Sequence, residues 1–193
     1  MNKTRLEAFS DAVIAIIMTV MVLELKVPQG ADLESLKPLV PTFLAYVLSF
    51  VYLAIYWNNH HHMLQATRTV NGKVLWANMN LLFWLSLIPF GTSWMGEYHD
   101  QPLPTAAYGF VLLMCGVSYS ILVRKLTKHT DGENKLLAEA IGSDLKGWLS
   151  LVFYLIGIAL AFVQPNISHA IYALVALIWF IPDKRIERRF TGM

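Results

Sequence analysis

Charge is what this chain has little of. Charged side chains make up 15% of its 193 residues, against about 25% in an average soluble chain, while 56% are hydrophobic. That balance excludes an ordinary soluble domain and points to a chain dissolved in lipid. Cysteine is almost absent too: Cys115 stands alone inside an apolar run, so no internal disulfide can form and the redox compartment is not written here. A glycine-rich phosphate loop, a serine-nucleophile motif and a paired-cysteine site are all missing. Without them the chain does not read as an enzyme, and it implies no cofactor. There is no internal duplication and no low-complexity segment.

What is present is a succession of long apolar runs. A helix needs about 20 residues to cross a bilayer, so six spans with short loops nearly use up the chain. We expect them at 9–27, 38–60, 74–94, 105–123, 145–163 and 167–182, in one all-α membrane domain covering 1–193. Pro38 and Pro41 suit a first helical turn, where the missing amide proton would be unpaired anyway. Asn71 and Gly72 break the chain before the third span, and 96–104, with Pro102 and Pro104, reads as a loop. The polar stretch 124–144 has room for a short surface helix at 134–141. The sixth span is short and borrows interfacial length from His169 and Trp179. Lys3 and Arg5 before an apolar run suggest a signal peptide, but the run ends in Glu24, Leu25, Lys26, Val27 and Pro28 without a small-residue cleavage site. The first span is therefore read as retained.

Lysine and arginine set the orientation. Lys3 and Arg5 lie at the N-terminus, Arg68 and Lys73 in the second connection, and Arg124, Lys125, Lys128, Lys135 and Lys146 in or beside the fourth. Lys184, Arg185, Arg188 and Arg189 follow the sixth span, leaving only Lys26 and Lys37 of the 15 basic residues for the opposite side. The positive-inside rule then puts both termini in the cytoplasm of a multi-pass cell-membrane protein. An odd number of spans would break this agreement.

The first span has two unlike parts. Arg5, Glu7, Ser10 and Asp11 run directly into a segment whose polar residues are Thr19 and Glu24. An ionised group in hydrocarbon costs about 2.5–3.5 kcal/mol even on the lenient insertion scale, so Asp11 is expected to face protein or water. At about 100° per residue, Ala12, Ile16, Thr19, Leu23 and Val27 share one side of the helix. Periodicity alone leaves this stripe two uses, packing against a neighbouring helix or lining a path.

Arg5, Phe9, Ser10 and Asp11, followed by an apolar span ending LELKVP, resemble the signature of the transmembrane protein 175 family of potassium channels. YWNNHHH at 56–62, PFGT at 89–92 and IPDKRIE at 181–187 extend the resemblance over nearly the whole chain. The resemblance implies one six-span unit per subunit, a homotetramer, and a first helix that lines a central pore for potassium ions. By the same resemblance Ile16, five residues after the motif aspartate, maps to a bulky aliphatic constriction, with Thr19 and Leu23 beyond it; Ala12 and Val27 extend that lining. A carbonyl filter of the TVGYG type is missing. Arg5, Phe9, Ser10 and Asp11 would hold the inner end of the first helix, with Ser10 and Asp11 bonding His60 or His61 in a polar network.

Other candidates were weighed against this reading. His60, His61 and His62 are consecutive and point about 100° apart on a helix, so they cannot converge on one metal ion. A tetrahedral site would need His99 or His129 as well, and the topology puts His99 on the far side; no metal site is implied. Glu24 and Lys26 suit interfacial anchors or an outer mouth that favours cations. The C-terminal basic cluster suits anionic lipid headgroups, not nucleic acid. The alternative is a proton-coupled or other secondary transporter built on Asp11, Glu24 and the histidines. Such folds often break corresponding spans in two repeats, and Pro89 has no counterpart.

Overall fold

The computed structural model describes residues 3–67, 69–128 and 145–180, and they fold as helices joined by short connections. α1 is Lys3–Leu23, a stretch with neither glycine nor proline. Its last turn tightens through bonds from the Glu24 and Leu25 amides to the Met21 and Val22 carbonyls. Pro28 then biases Val27 toward extended backbone, so Val27 lies beyond the helix and not on the stripe its spacing suggested.

A 3₁₀ turn, Glu34–Leu39, leads into α2, Val40–Gln65, with Pro41 in its first turn. Before it, Asp32 accepts from the Ser35 amide at 3.0 Å and from the Ser35 hydroxyl, and these bonds hold its carboxyl below the usual carboxylate range. α2 outlasts its expected end, so that His60, His61 and His62 occupy its last turns. Asn71 caps the next helix by accepting from the Val74 amide at 2.9 Å.

The third span is not one helix. It is α3, Gly72–Ser86, and α4, Ile88–Glu97, meeting at Leu87. Pro89 has no N–H for the Leu85 carbonyl and its ring crowds that turn. The chain answers by closing a tighter bond, Leu87 N to Trp84 O at 3.2 Å, and restarting with Gly91 N to Leu87 O at 3.0 Å. α4 also runs further than expected, so the loop is 98–101. α5, Pro102–Lys128, absorbs Pro102 and Pro104 into its first turn. α6, Leu145–Ala161, and α7, Pro165–Phe180, close the described chain. Arg68, the surface helix expected at 134–141, His129, Lys135, the IPDKRIE run and the basic cluster at 184–189 lie outside the described residues.

The result is an all-α membrane fold whose six spans are α1, α2, α3 with α4, α5, α6 and α7. The first four are long and apolar enough to cross a bilayer by length and composition; α6 and α7, with 17 and 16 residues, are shorter. α1 packs on α2 and α3, α5 lies between the α3–α4 pair and α6, and α7 returns from α6 to α2. In lipid, association rests on close packing and hydrogen bonds rather than on escape from water, and the interior reflects this. Leu6, Ile14, Ile17 and Met21 of α1 interlock with Leu53, Leu81 and Leu85. A second cluster gathers Tyr52, Tyr108, Tyr154 and Tyr172 from α2, α5, α6 and α7. Tyr52 donates to the Tyr172 carbonyl at 2.6 Å, Tyr108 shares a bond with Ser49 at 2.8 Å, and Tyr172 donates to the Thr105 carbonyl at 3.3 Å. Gly109 and Gly157 make room for Tyr172, whose ring and hydroxyl occupy the space a Cβ would take at either position.

Candidate functional site

α1 has one buried face and one bare face. Ile14, Ile17 and Met21 sit in the core, whereas Ile16 is 60% and Leu23 79% exposed, with Ala12 and Thr19 exposed between and below them. Val27, beyond the helix end, is exposed as well. The bare face includes the Ala12, Ile16, Thr19, Leu23 stripe, with Ala15, Val20 and Val22 exposed beside it. Within it the Thr19 hydroxyl donates to the Ile16 carbonyl at 2.8 Å. That bond turns the hydroxyl proton back onto the helix and leaves the oxygen lone pairs directed outward. Such an oxygen suits a cation better than an anion.

A polar anchor fixes the N-terminal half of α1. Ser10 Oγ donates to the Leu6 carbonyl at 2.8 Å, so it must accept from Asn78 Nδ2 at 2.9 Å. Asn78 Oδ1, 2.7 Å from His60 Nε2, is then the acceptor. The direction of the whole chain follows, with His60 carrying its hydrogen on Nε2. All three side chains are buried. A histidine therefore does reach Ser10, but through Asn78.

Asp11 takes a different partner. It accepts from Trp57 Nε1 at 3.1 Å, and Trp57 stacks on His61 with ring centres 5.8 Å apart. His61 Nδ1 lies 3.3 Å from Glu7 Oε1, near enough for ionic attraction but not aligned as a hydrogen bond. Lys3 Nζ donates to the Gln65 carbonyl at 2.9 Å, tying the start of α1 to the end of α2. Arg5 and Phe9 lie exposed beside this cluster. The consecutive histidines diverge: His60 is buried, His61 half-buried and His62 exposed.

Asn78, Trp57 and Glu7 were missed as members of the anchor. An amide in an apolar span is the signal for Asn78, because a polar group at that depth needs a partner. Beyond the C-terminal end of α1, Lys26 pairs with Glu97 at 2.8 Å, with both side chains largely exposed.

Comparison with known proteins points to one family. The family model described as endosomal/lysosomal potassium channel TMEM175 matches residues 5–89. A protein named as a potassium channel from Chryseobacterium sp. (strain P1-3) is 55% identical over 188 residues, covering 97% of each chain. A potassium channel from Chamaesiphon minutus is 30% identical, covering 90% of this chain and 91% of its own. In three dimensions the fold resembles the crystal structure of a lysosomal potassium-selective channel TMEM175 homolog from Chamaesiphon minutus. The TM-score is 0.78 with 26% identity, covering 93% of this chain and 96% of that one.

Proposed function

This chain belongs to the endosomal/lysosomal potassium channel TMEM175 family, and from that premise we propose that it is a potassium-selective channel of the cell membrane. Four copies assemble with their α1 helices around a central axis, and ions move passively along it. The observation that carries this reading is the bare α1 stripe. A folded subunit buries the opposite face of the same helix and leaves Ile16 and Leu23 uncovered, with Ala12 and Thr19, at positions a ring of copies would turn toward its axis.

The mechanism follows from the side chains. Four Ile16 groups form the narrowest ring, and they offer no oxygen to replace an ion's water. Entry therefore depends on how readily a cation sheds or rearranges its hydration. Potassium holds water less tightly than the smaller sodium ion and crosses more easily. Thr19 oxygens next to the ring compensate a partly dehydrated cation, since their lone pairs face away from the helix. Leu23 forms a second apolar ring beyond them, while Ala12 lines the wider inner approach and Val27 the outer exit. An apolar ring also gates, because a narrow greasy segment empties of water when it closes slightly. Arg5, Phe9, Ser10, Asp11, His60 and His61 act at a distance by fixing the inner end of α1.

Currents from Ile16→Asn and Thr19→Ala in reconstituted bilayers test the assignment. Ile16→Asn supplies polar groups at the ring and is expected to raise conductance and lower the potassium-to-sodium permeability ratio several-fold; Thr19→Ala is expected to lower that ratio as well. Ratios unchanged in both variants would remove these residues from the filter.

A further inference from the structure

The N-terminal half of α1 carries four charged side chains, Lys3, Arg5, Glu7 and Asp11, and all but one are turned toward the rest of the subunit. Lys3 bonds the Gln65 carbonyl, Glu7 stands 3.3 Å from His61, and Asp11 accepts from Trp57. Arg5 is exposed and has no carboxylate partner among the described residues. Helix geometry divides them in the same way. Counted from Ile16 at about 100° per residue, Lys3, Glu7 and Asp11 lie about 140–180° away, whereas Arg5 lies within about 20°. Phe9, exposed as well, falls within about 20° on the other side of that line. The bare stripe of α1 therefore continues past Ala12 to Phe9 and Arg5.

We propose that Arg5 sets the charge of the N-terminal mouth of the ion path, so that cations pass more readily toward that mouth than away from it. The proposal rests on the pore reading and adds a residue and a property to it. If Ile16 faces the axis of a ring of copies, the same face of α1 brings one guanidinium per copy to the mouth, about 16 Å below the Ile16 ring at about 1.5 Å per residue. A guanidinium stays charged across the working pH range. Phe9, the next residue along the stripe, brings no carboxylate to neutralise it. Like charges gathered around an opening repel cations and thin their local supply. Flow that starts from this side is limited by that supply, and flow arriving from the far side is not. The far end of α1 has no such surplus, because Lys26 is matched by Glu97 and Glu24 is exposed. Potassium and sodium carry the same charge, so the ring repels both alike and leaves the choice between them to Ile16 and Thr19.

Single-channel currents of the purified protein in planar bilayers test this, in symmetric potassium chloride at about 0.01 M and about 1 M, where a charge is felt over about 30 Å and about 3 Å. At the lower concentration the parent is expected to pass about twofold more current in one direction than in the other; at the higher the two directions become nearly equal. Arg5→Gln is expected to straighten the low-salt relation while keeping the potassium-to-sodium permeability ratio. Arg5→Cys, with Cys115→Ala removing the native thiol, is then modified on the folded protein from one chamber. A thiol reagent bearing trimethylammonium restores the asymmetry and one bearing sulfonate reverses it, and the chamber from which the reagent acts identifies the N-terminal mouth. A role in folding alone would not follow the sign of the attached charge. A low-salt relation that is the same in the parent and Arg5→Gln, or that ignores the sign of the attached group, overturns the proposal. Silver ion applied to Ile16→Cys reports the pore reading separately: current lost to silver alongside that result leaves the pore standing, and current that silver does not reduce removes the pore and this proposal together.

Discussion

At the scale of single residues, the anchor under α1 is a chain of buried donors and acceptors in which each member has one role. Asn78→Leu strips the acceptor from His60 and the donor from Ser10 together. A buried polar group left unsatisfied costs about 1–3 kcal/mol, so thermal unfolding of the purified protein should fall by several degrees. Replacing all three groups, with Ser10→Ala, Asn78→Leu and His60→Phe, should recover much of the loss, because an apolar set leaves nothing unpaired. If the triple variant is no more stable than Asn78→Leu alone, the network is not what holds this point. Ser10, Asp11 and His60 were legible in the sequence as a polar group at the inner end of a span. Their pairing was not, because contacts 68 and 18 residues apart are set by how α1, α2 and α3 pack. Trp57 reads locally as one more aromatic near a membrane surface. Only the packed structure makes it the partner of Asp11.

At the scale of elements, long apolar runs foretell the succession of helices, while the helices begin and end at residues that hydropathy does not mark. Pro89 reads from sequence as a residue inside one span; in the fold it divides α3 from α4. α4 sets its last turn close against the first turn of α2. A Cβ at Gly96 would stand 2.7 Å from the Thr42 Cα, closer than two such atoms can approach. Gly96→Ala must push α4 from α2, and overpacking of this kind costs about 1–3 kcal/mol. Thermal unfolding should register that loss, and a variant as stable as the parent would show that the helices separate without penalty. The ends of α1 carry the same lesson. Its stripe extends as far as Leu23, and Val27 departs from it because Pro28 ends the helical geometry on which the spacing relied.

At the scale of the whole molecule, the distribution of lysine and arginine predicts the sidedness. Lys3 reaches the end of α2 at Gln65, so the start of α1 lies at the same end of the fold as the α2–α3 connection, which Lys73 follows in the first turn of α3. A reporter fused to the N-terminus should accordingly register the cytoplasm; an exterior signal would reverse the axis of the pore. The architecture was legible because six apolar runs and an uneven distribution of lysine and arginine both survive in a linear string. The groove between α1 and the third span, lined by Ile16, Val20 and Glu24 and by Ser86, Phe90 and Trp94, was not legible, since its walls lie far apart in sequence. The central claim, that a path for ions runs past residue 16, is tested most directly by silver ion on Ile16→Cys with Cys115→Ala in a bilayer recording. Silver is a monovalent cation that enters water-filled pores and binds thiols, so potassium current should vanish within seconds and stay lost after washing, with the Cys115→Ala parent unaffected. Current that continues undiminished in the presence of silver would mean that ions do not pass residue 16.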